Sequence, residues 1–233
     1  MSKAWLFIKR RPPRDWAALG AVFAVIAVAI LLPMLRARES RAIEAVVARS
    51  SAVLIDAVQN PAIFDGDPPE ARAALEADSR QLSMLHDKLV LSHYYFAHGA
   101  LSAALEYTDY TQRIGAKLVQ VGTAEIQAKQ ALDDYDRSVA LLKGSSLANR
   151  VGFQQAVNES APKARDTTDL AYQECQLLAS LTRQFGVAQT LALQHLSSLG
   201  PDVLAAVGSL RPAIVAATEN TMAQRKRFNP LAH

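Results

Sequence analysis

Three histidines stand close together in this 233-residue chain, His86, His93 and His98, with Asp87 and Glu106 nearby. Imidazoles and carboxylates hold divalent metals and move protons near neutral pH. The spacing argues against a shared site. Two metal ligands from one helix sit three or four residues apart, whereas His86 and His93 are seven apart and two turns distant. A site would have to recruit a ligand from elsewhere, such as His195. Neither a Cys-x-x-Cys-His haem attachment nor a Glu-x-x-His pair of the di-iron bundles occurs. No metal and no cofactor is expected.

The other reactive side chains read in the same way. Cys175, the one cysteine, lies among Gln173, Glu174, Gln176 and Leu177 in a helical pattern, and is expected to pack rather than attack. It cannot form an internal disulfide, so cysteine usage does not discriminate the compartment. Asp133, Asp134 and Asp136 belong to a polar helix face, where nothing suggests the burial that favours general acid chemistry. Tyr94, Tyr95 and Phe96, with Tyr107 and Tyr110, could line a pocket for an apolar ligand, but packing is the commoner use of such a cluster. No catalytic residue is assigned. Arg225, Lys226 and Arg227 are a candidate patch for an anionic partner. The same charges also suit a solvated helix end, where cations complement the dipole.

What must position these groups is dominated by one stretch, WAALGAVFAVIAVAILLPML, residues 16–35, twenty residues without a charge. At 1.5 Å per residue such a helix spans about 30 Å, the hydrocarbon thickness of a bilayer. Signal-peptide apolar regions are shorter and end in small residues, whereas this run ends in Leu31-Leu32-Pro33-Met34-Leu35. A retained transmembrane helix is expected, with membrane lipid as its partner. Trp5, Lys9, Arg10, Arg11, Arg14 and Trp16 are the candidate headgroup contacts of the 1–15 interfacial segment and its junction with the span. Ala17, Gly20, Ala21, Ala24 and Ala27 recur at helical spacing and form a candidate packing face against another membrane helix. Five Lys/Arg precede the span and four follow it closely, a slight bias toward a cytoplasmic N-terminus and an extracytoplasmic, periplasmic body.

Beyond the span the helical period continues through Ile43, Val47, Ser50, Leu54 and Ala57 until Pro61, which predicts a helical stalk over 36–60. Asp67, Pro68 and Glu70 form a capping signature that opens a bundle domain over 67–228, followed by a tail at 229–233. Apolar residues then recur every three or four positions, from Leu82, Leu89 and Tyr107 to Leu118, Val121 and Leu132. Gly115 or Gly122 marks the place where a single long helix could divide in two. After a polar piece, Pro162 is expected to open another helix, with a seam at Ala171, Leu178, Phe185, Ala188, Ala192 and Leu199. A last helical segment is interrupted at Pro212. No stretch alternates with period two, so the fold class is all-α: one transmembrane helix, a stalk and an antiparallel, coiled-coil-like bundle of long helices.

Net charge is +3, concentrated toward the two ends, which favours anionic lipid or an acidic partner over nucleic acid. The expected function is a non-enzymatic, membrane-anchored scaffold or accessory subunit of an envelope complex, binding other subunits through its helical seams. The seams could also pair copies of the chain as a homo-oligomer. The outline is also similar to that of bacterial chemoreceptor sensor domains, where a membrane helix runs into a four-helix bundle. That likeness is topological and implies a ligand-sensing alternative. With one span and no signalling region, such a sensor would act through a partner.

Overall fold

The computed structural model describes residues 13–60, 62–65, 69–146, 149–196, 199 and 201–228. The helices are α1 (Pro13–Val58), α2 (Ala62–Asp65), α3 (Pro69–Leu91), α4 (His98–Gly144), α5 (Arg150–Ala192) and α6 (Asp202–Arg227). Among the described residues there is no strand.

Side-chain pairings fix the directions. Glu39 of α1 meets the turn before α4, and Ser51 meets Tyr107, so these helices run in parallel. Ser83 of α3 meets Gln112, and Arg72 meets Thr123, which makes α3 antiparallel to α4. Lys117 pairs with Glu174, and Tyr107 packs on Phe185, so α5 is also antiparallel to α4. The result is an up-down-up-down-up arrangement with α4 touching α1, α2, α3 and α5. At its 47 residues, α4 extends about 70 Å from the end nearest the apolar stretch.

The segment expected as a stalk is helical without a break, but it is not free-standing. Ile43, Val47, Ser50, Leu54 and Ala57, the stripe legible in the sequence, are all fully buried. They join Leu82, Leu89, Tyr107, Ile114, Leu118, Leu178 and Phe185 in one core. An amphipathic stripe of that width needs a partner, and α3, α4 and α6 supply it. The α4–α5 contact continues outward on alanines, Ala124, Ala128 and Ala171, then Ala131 and Ala164 with Leu132.

Three boundaries differ from the sequence-based expectation. The division between α3 and α4 falls at residues 92–97 instead of at a glycine. Ser92 Oγ bonds the Lys88 carbonyl and closes α3, while Glu39 collects the N–H groups ahead of α4. Helix α5 begins at Arg150, and Pro162 lies inside it, as Pro212 lies inside α6. Both prolines and the residues four before them, Asn158 and Gly208, are exposed, so each released carbonyl faces water. Helix α5 also ends at Ala192, short of the expected Leu199. The capping residues Asp67 and Pro68 lie outside the described residues.

Gly115 is buried mid-helix where α3 crosses α4. A Cβ there would stand 2.6 Å from Leu82 Cδ1 and 3.5 Å from Ser79 Cα, whereas one on Gly152 would meet nothing. An exposed Gly→Ala change in a helix stabilises by about 1 kcal/mol. Gly152→Ala is therefore expected to raise the unfolding midpoint. Gly115→Ala is expected to lower it, by about 1–3 kcal/mol of overpacking less the helix gain. Paired denaturant melts check the opposite signs.

Candidate functional site

Residues with functional potential gather at three levels along the bundle. At the level nearest the apolar stretch, the Glu39 carboxylate accepts backbone hydrogen bonds from Tyr95 at 3.2 Å, Phe96 at 2.8 Å and Ala97 at 3.1 Å. These are N–H groups of the non-helical turn just before α4, where no helical carbonyl is available to them. A carboxylate at a helix N-terminus also complements the helix dipole. Desolvation pushes the Glu39 acid up, but the three donors and the nearby His98 outweigh it and hold it below the usual 4.5. The aromatic cluster is divided here. Tyr107 is core, Tyr94 is half-buried, and Tyr95 and Phe96 are exposed.

The histidines do not converge. His86 Nδ1 bonds Thr108 Oγ1 at 3.1 Å, and His93 lies exposed beside Tyr95. His195 approaches Gly99, the second residue of α4. Among the described residues no three His, Cys, Asp or Glu side chains gather as a metal site would require.

The middle level is a buried polar layer. Ser50 Oγ and Thr111 Oγ1 are 2.8 Å apart, as are Ser51 Oγ and Tyr107 Oη, and Ser51 also donates to the Val47 carbonyl. Burial pushes the Tyr107 phenol up to about 12, against the lowering effect of the Ser51 hydrogen bond. One step outward, Cys175 Sγ donates to Glu125 Oε1 at 3.6 Å. Burial, then the Glu125 and Glu174 charges, push the thiol up to about 12. A neutral, buried thiol is a poor nucleophile, which agrees with the packing reading of the sequence.

Glu125 itself escaped the sequence reading. Burial raises its pKa, partly offset by the thiol hydrogen bond. It lines an open cleft of about 310 Å³ between α2, α4 and the end of α6, with Phe64, Lys129, Asp133, Asp136 and Arg227. A carboxyl of raised pKa in a cleft can hold a proton. The sequence carried no marker of it, because Glu125 is half-buried only by virtue of what α5 places beside it.

At the outer level α6 clamps the α4–α5 pair. Arg225 pairs with Asp169, its guanidinium 4.8 Å above the Tyr172 ring, and Arg227 Nη2 lies 2.6 Å from Asp136 Oδ1. Phe228 meets Tyr135 edge-on with ring centres 5.2 Å apart. Two of the three charges proposed for an anionic partner are thus engaged within the chain, and Lys226 remains exposed.

The proposed anchor residues divide differently. Trp5, Lys9, Arg10 and Arg11 lie outside the described residues, and Arg14, Trp16 and Ala17 fall within α1. Gly20, Ala21, Ala24 and Ala27 are exposed, so their face has no partner among the described residues. One helix among the described residues is long and apolar enough to cross a bilayer, and its apolar window is unburied.

Two pH responses follow. Unfolded thiol and phenol ionise near 9.0 and 10.0, but both stay neutral to about 12 in the fold. Their contribution is complete below pH 9 and is lost as pH rises toward 12. Cys175→Ala and Tyr107→Phe should each flatten the alkaline limb of a stability profile. Glu39 behaves oppositely, because its folded pKa is lowered. Its contribution is present above the unfolded value of 4.5 and is lost as pH falls below it. Glu39→Gln should flatten the acid limb, and an unchanged slope would count against the cap. Cys175 in the native protein should react with a thiol reagent only at the rate of unfolding. No protein-family model, curated protein or solved structure matches the chain.

Proposed function

We propose that the chain is a non-enzymatic, membrane-anchored scaffold, an accessory or assembly subunit of a membrane protein complex. One observation carries this reading: a single helix, α1, has an apolar half with no partner among the described residues and a second half built into the core. A bundle joined to its anchor by uninterrupted helix is held at a set distance and angle, as a spacer or docking post requires. The unpartnered small-residue face at Gly20, Ala21, Ala24 and Ala27 supplies a surface for a second membrane helix. The far half of the α4–α5 pair, with exposed Leu141 and Val151, supplies one for a soluble partner. The non-enzymatic part rests on the buried, neutral Cys175 thiol and on the dispersed histidines. The body is assigned to the extracytoplasmic side on the charge bias around the span.

A second reading, a ligand-sensing bundle, is favoured by the polar cleft at Glu125 and Arg227. The two separate experimentally. Mild-detergent purification after cross-linking in native membranes should recover stoichiometric partners for a scaffold. A lone monomer, stabilised against heat by a small molecule, would instead favour the sensor. For orientation, a Val151→Cys thiol, on a residue 79% exposed, should react with a membrane-impermeant reagent added to intact cells. Reaction only after lysis would reverse the assigned topology.

A further inference from the structure

With α1 spanning as proposed above, the turn between α3 and α4 falls at the depth of the lipid headgroups. Leu35 ends the apolar run, and Glu39 stands four residues, about 6 Å, beyond it on the same helix. Each headgroup layer is about 5–8 Å thick. Glu39 therefore falls within that layer when the span fills the hydrocarbon. Side chains on a helix lean toward its N-terminus, so the Glu39 carboxylate reaches back toward the bilayer. There it holds the N–H groups of Tyr95, Phe96 and Ala97. Helix α3 ends and α4 begins at this point, which makes the turn the extremity of the body on that side.

The side chains at this extremity suit an interface and not open water. Leu91 is 74% exposed, Tyr95 65% and Phe96 38%. Single exposed apolar residues are ordinary on soluble surfaces. Here two aromatics and a leucine share one short turn, at the level where amphipathic rings concentrate in membrane proteins. The next turn adds to the same surface. His195 approaches Gly99, which brings the exposed Leu193 to this end of the bundle. Arg36, Arg38 and Lys88, also exposed, place cations where anionic headgroups lie.

We propose that the turn at residues 91–96 is a second membrane contact, which seats the bundle on the headgroup layer of the bilayer that α1 crosses. The contact rests on the anchor reading given above. It fixes what a single span leaves open: the rotation of the body about α1 and the tilt of α4. With the turn seated, the α4–α5 pair projects away from the bilayer and carries its far end about 70 Å out.

The test uses the full chain in liposomes, with an environment-sensitive fluorophore on a single introduced thiol. Tyr95→Cys reports the turn, with Phe96→Cys as a second position on it. Val151→Cys reports the far end, and Phe23→Cys the span. Each is made in a Cys175→Ala background and repeated in the native one, where the buried thiol resists labelling. Quenchers are iodide in the water and nitroxide lipids labelled at shallow and deep positions. Labels at 95 and 96 should be quenched several-fold more by the shallow lipid than by iodide, and the label at 151 in the reverse order. Iodide quenching at 95 and 96 equal to that at 151, with 23 quenched by deep lipid, would overturn the seating and leave the anchor standing. A label at 23 untouched by lipid would remove the anchor and the proposal together. Labels at 95 and 96 shielded from both quenchers would overturn lipid contact in favour of a covering protein subunit.

Discussion

Inside a bilayer no water is available to bond the backbone, so a spanning segment has its peptide groups paired along a helix. Residues 16–35 are apolar enough to come under that constraint, and they lie in one unbroken helix with the residues that follow. Extending an existing helix is far easier than starting one. The chain beyond Arg36 therefore continues a formed helix, and the stripe of Ile43, Val47, Ser50, Leu54 and Ala57 is presented as one straight edge. Helices α3 and α4 pack on that edge, α5 packs on α4, and α6 closes over α5 and α1. The body is thereby built around a continuation of its own apolar helix.

Two kinds of contact then set the register. Small residues let helices approach closely, as Ala128 and Ala171 do between α4 and α5, and as Gly115 does under Leu82. Close approach alone tolerates sliding. The buried hydroxyls do not, because Ser50 must meet Thr111 and Ser51 must meet Tyr107, or each leaves an unpaired polar group in the core. The half-buried Lys117–Glu174 pair at 2.6 Å adds the same demand between α4 and α5. Apolar packing supplies the bulk of the attraction, and these few polar pairs choose among the alignments it would accept.

The two ends of the bundle are finished differently. At the end nearest the apolar stretch one carboxylate, Glu39, satisfies three backbone donors and joins α1 to the turn before α4. At the other end Arg225, Arg227 and Phe228 hold α6 to the α4–α5 pair through Asp169, Asp136 and Tyr135. The outer contacts are partly exposed ion pairs, which contribute modestly. Charge thus serves assembly of the chain at positions where the sequence suggested binding of something else.

The amino-acid sequence by itself determined the all-helical class, the apolar span and most of the buried seam, including the stripe on α1 and Leu82, Leu118, Leu178 and Phe185. Periodicity carries that information because which face of a helix is apolar depends only on neighbours three and four residues away. Tertiary structure alone decided where α3 stops, since residues 92–97 contain neither Gly nor Pro and the turn is held by Glu39, more than fifty residues earlier. It also decided that one face of α1 from Ile43 to Val58 is packed in the core, that Pro162 and Pro212 are carried on solvent faces, and that Arg225 and Arg227 are engaged. Each of these outcomes depends on a partner distant in sequence or on which side of a helix meets water. Neither is encoded in the local spacing of residue types.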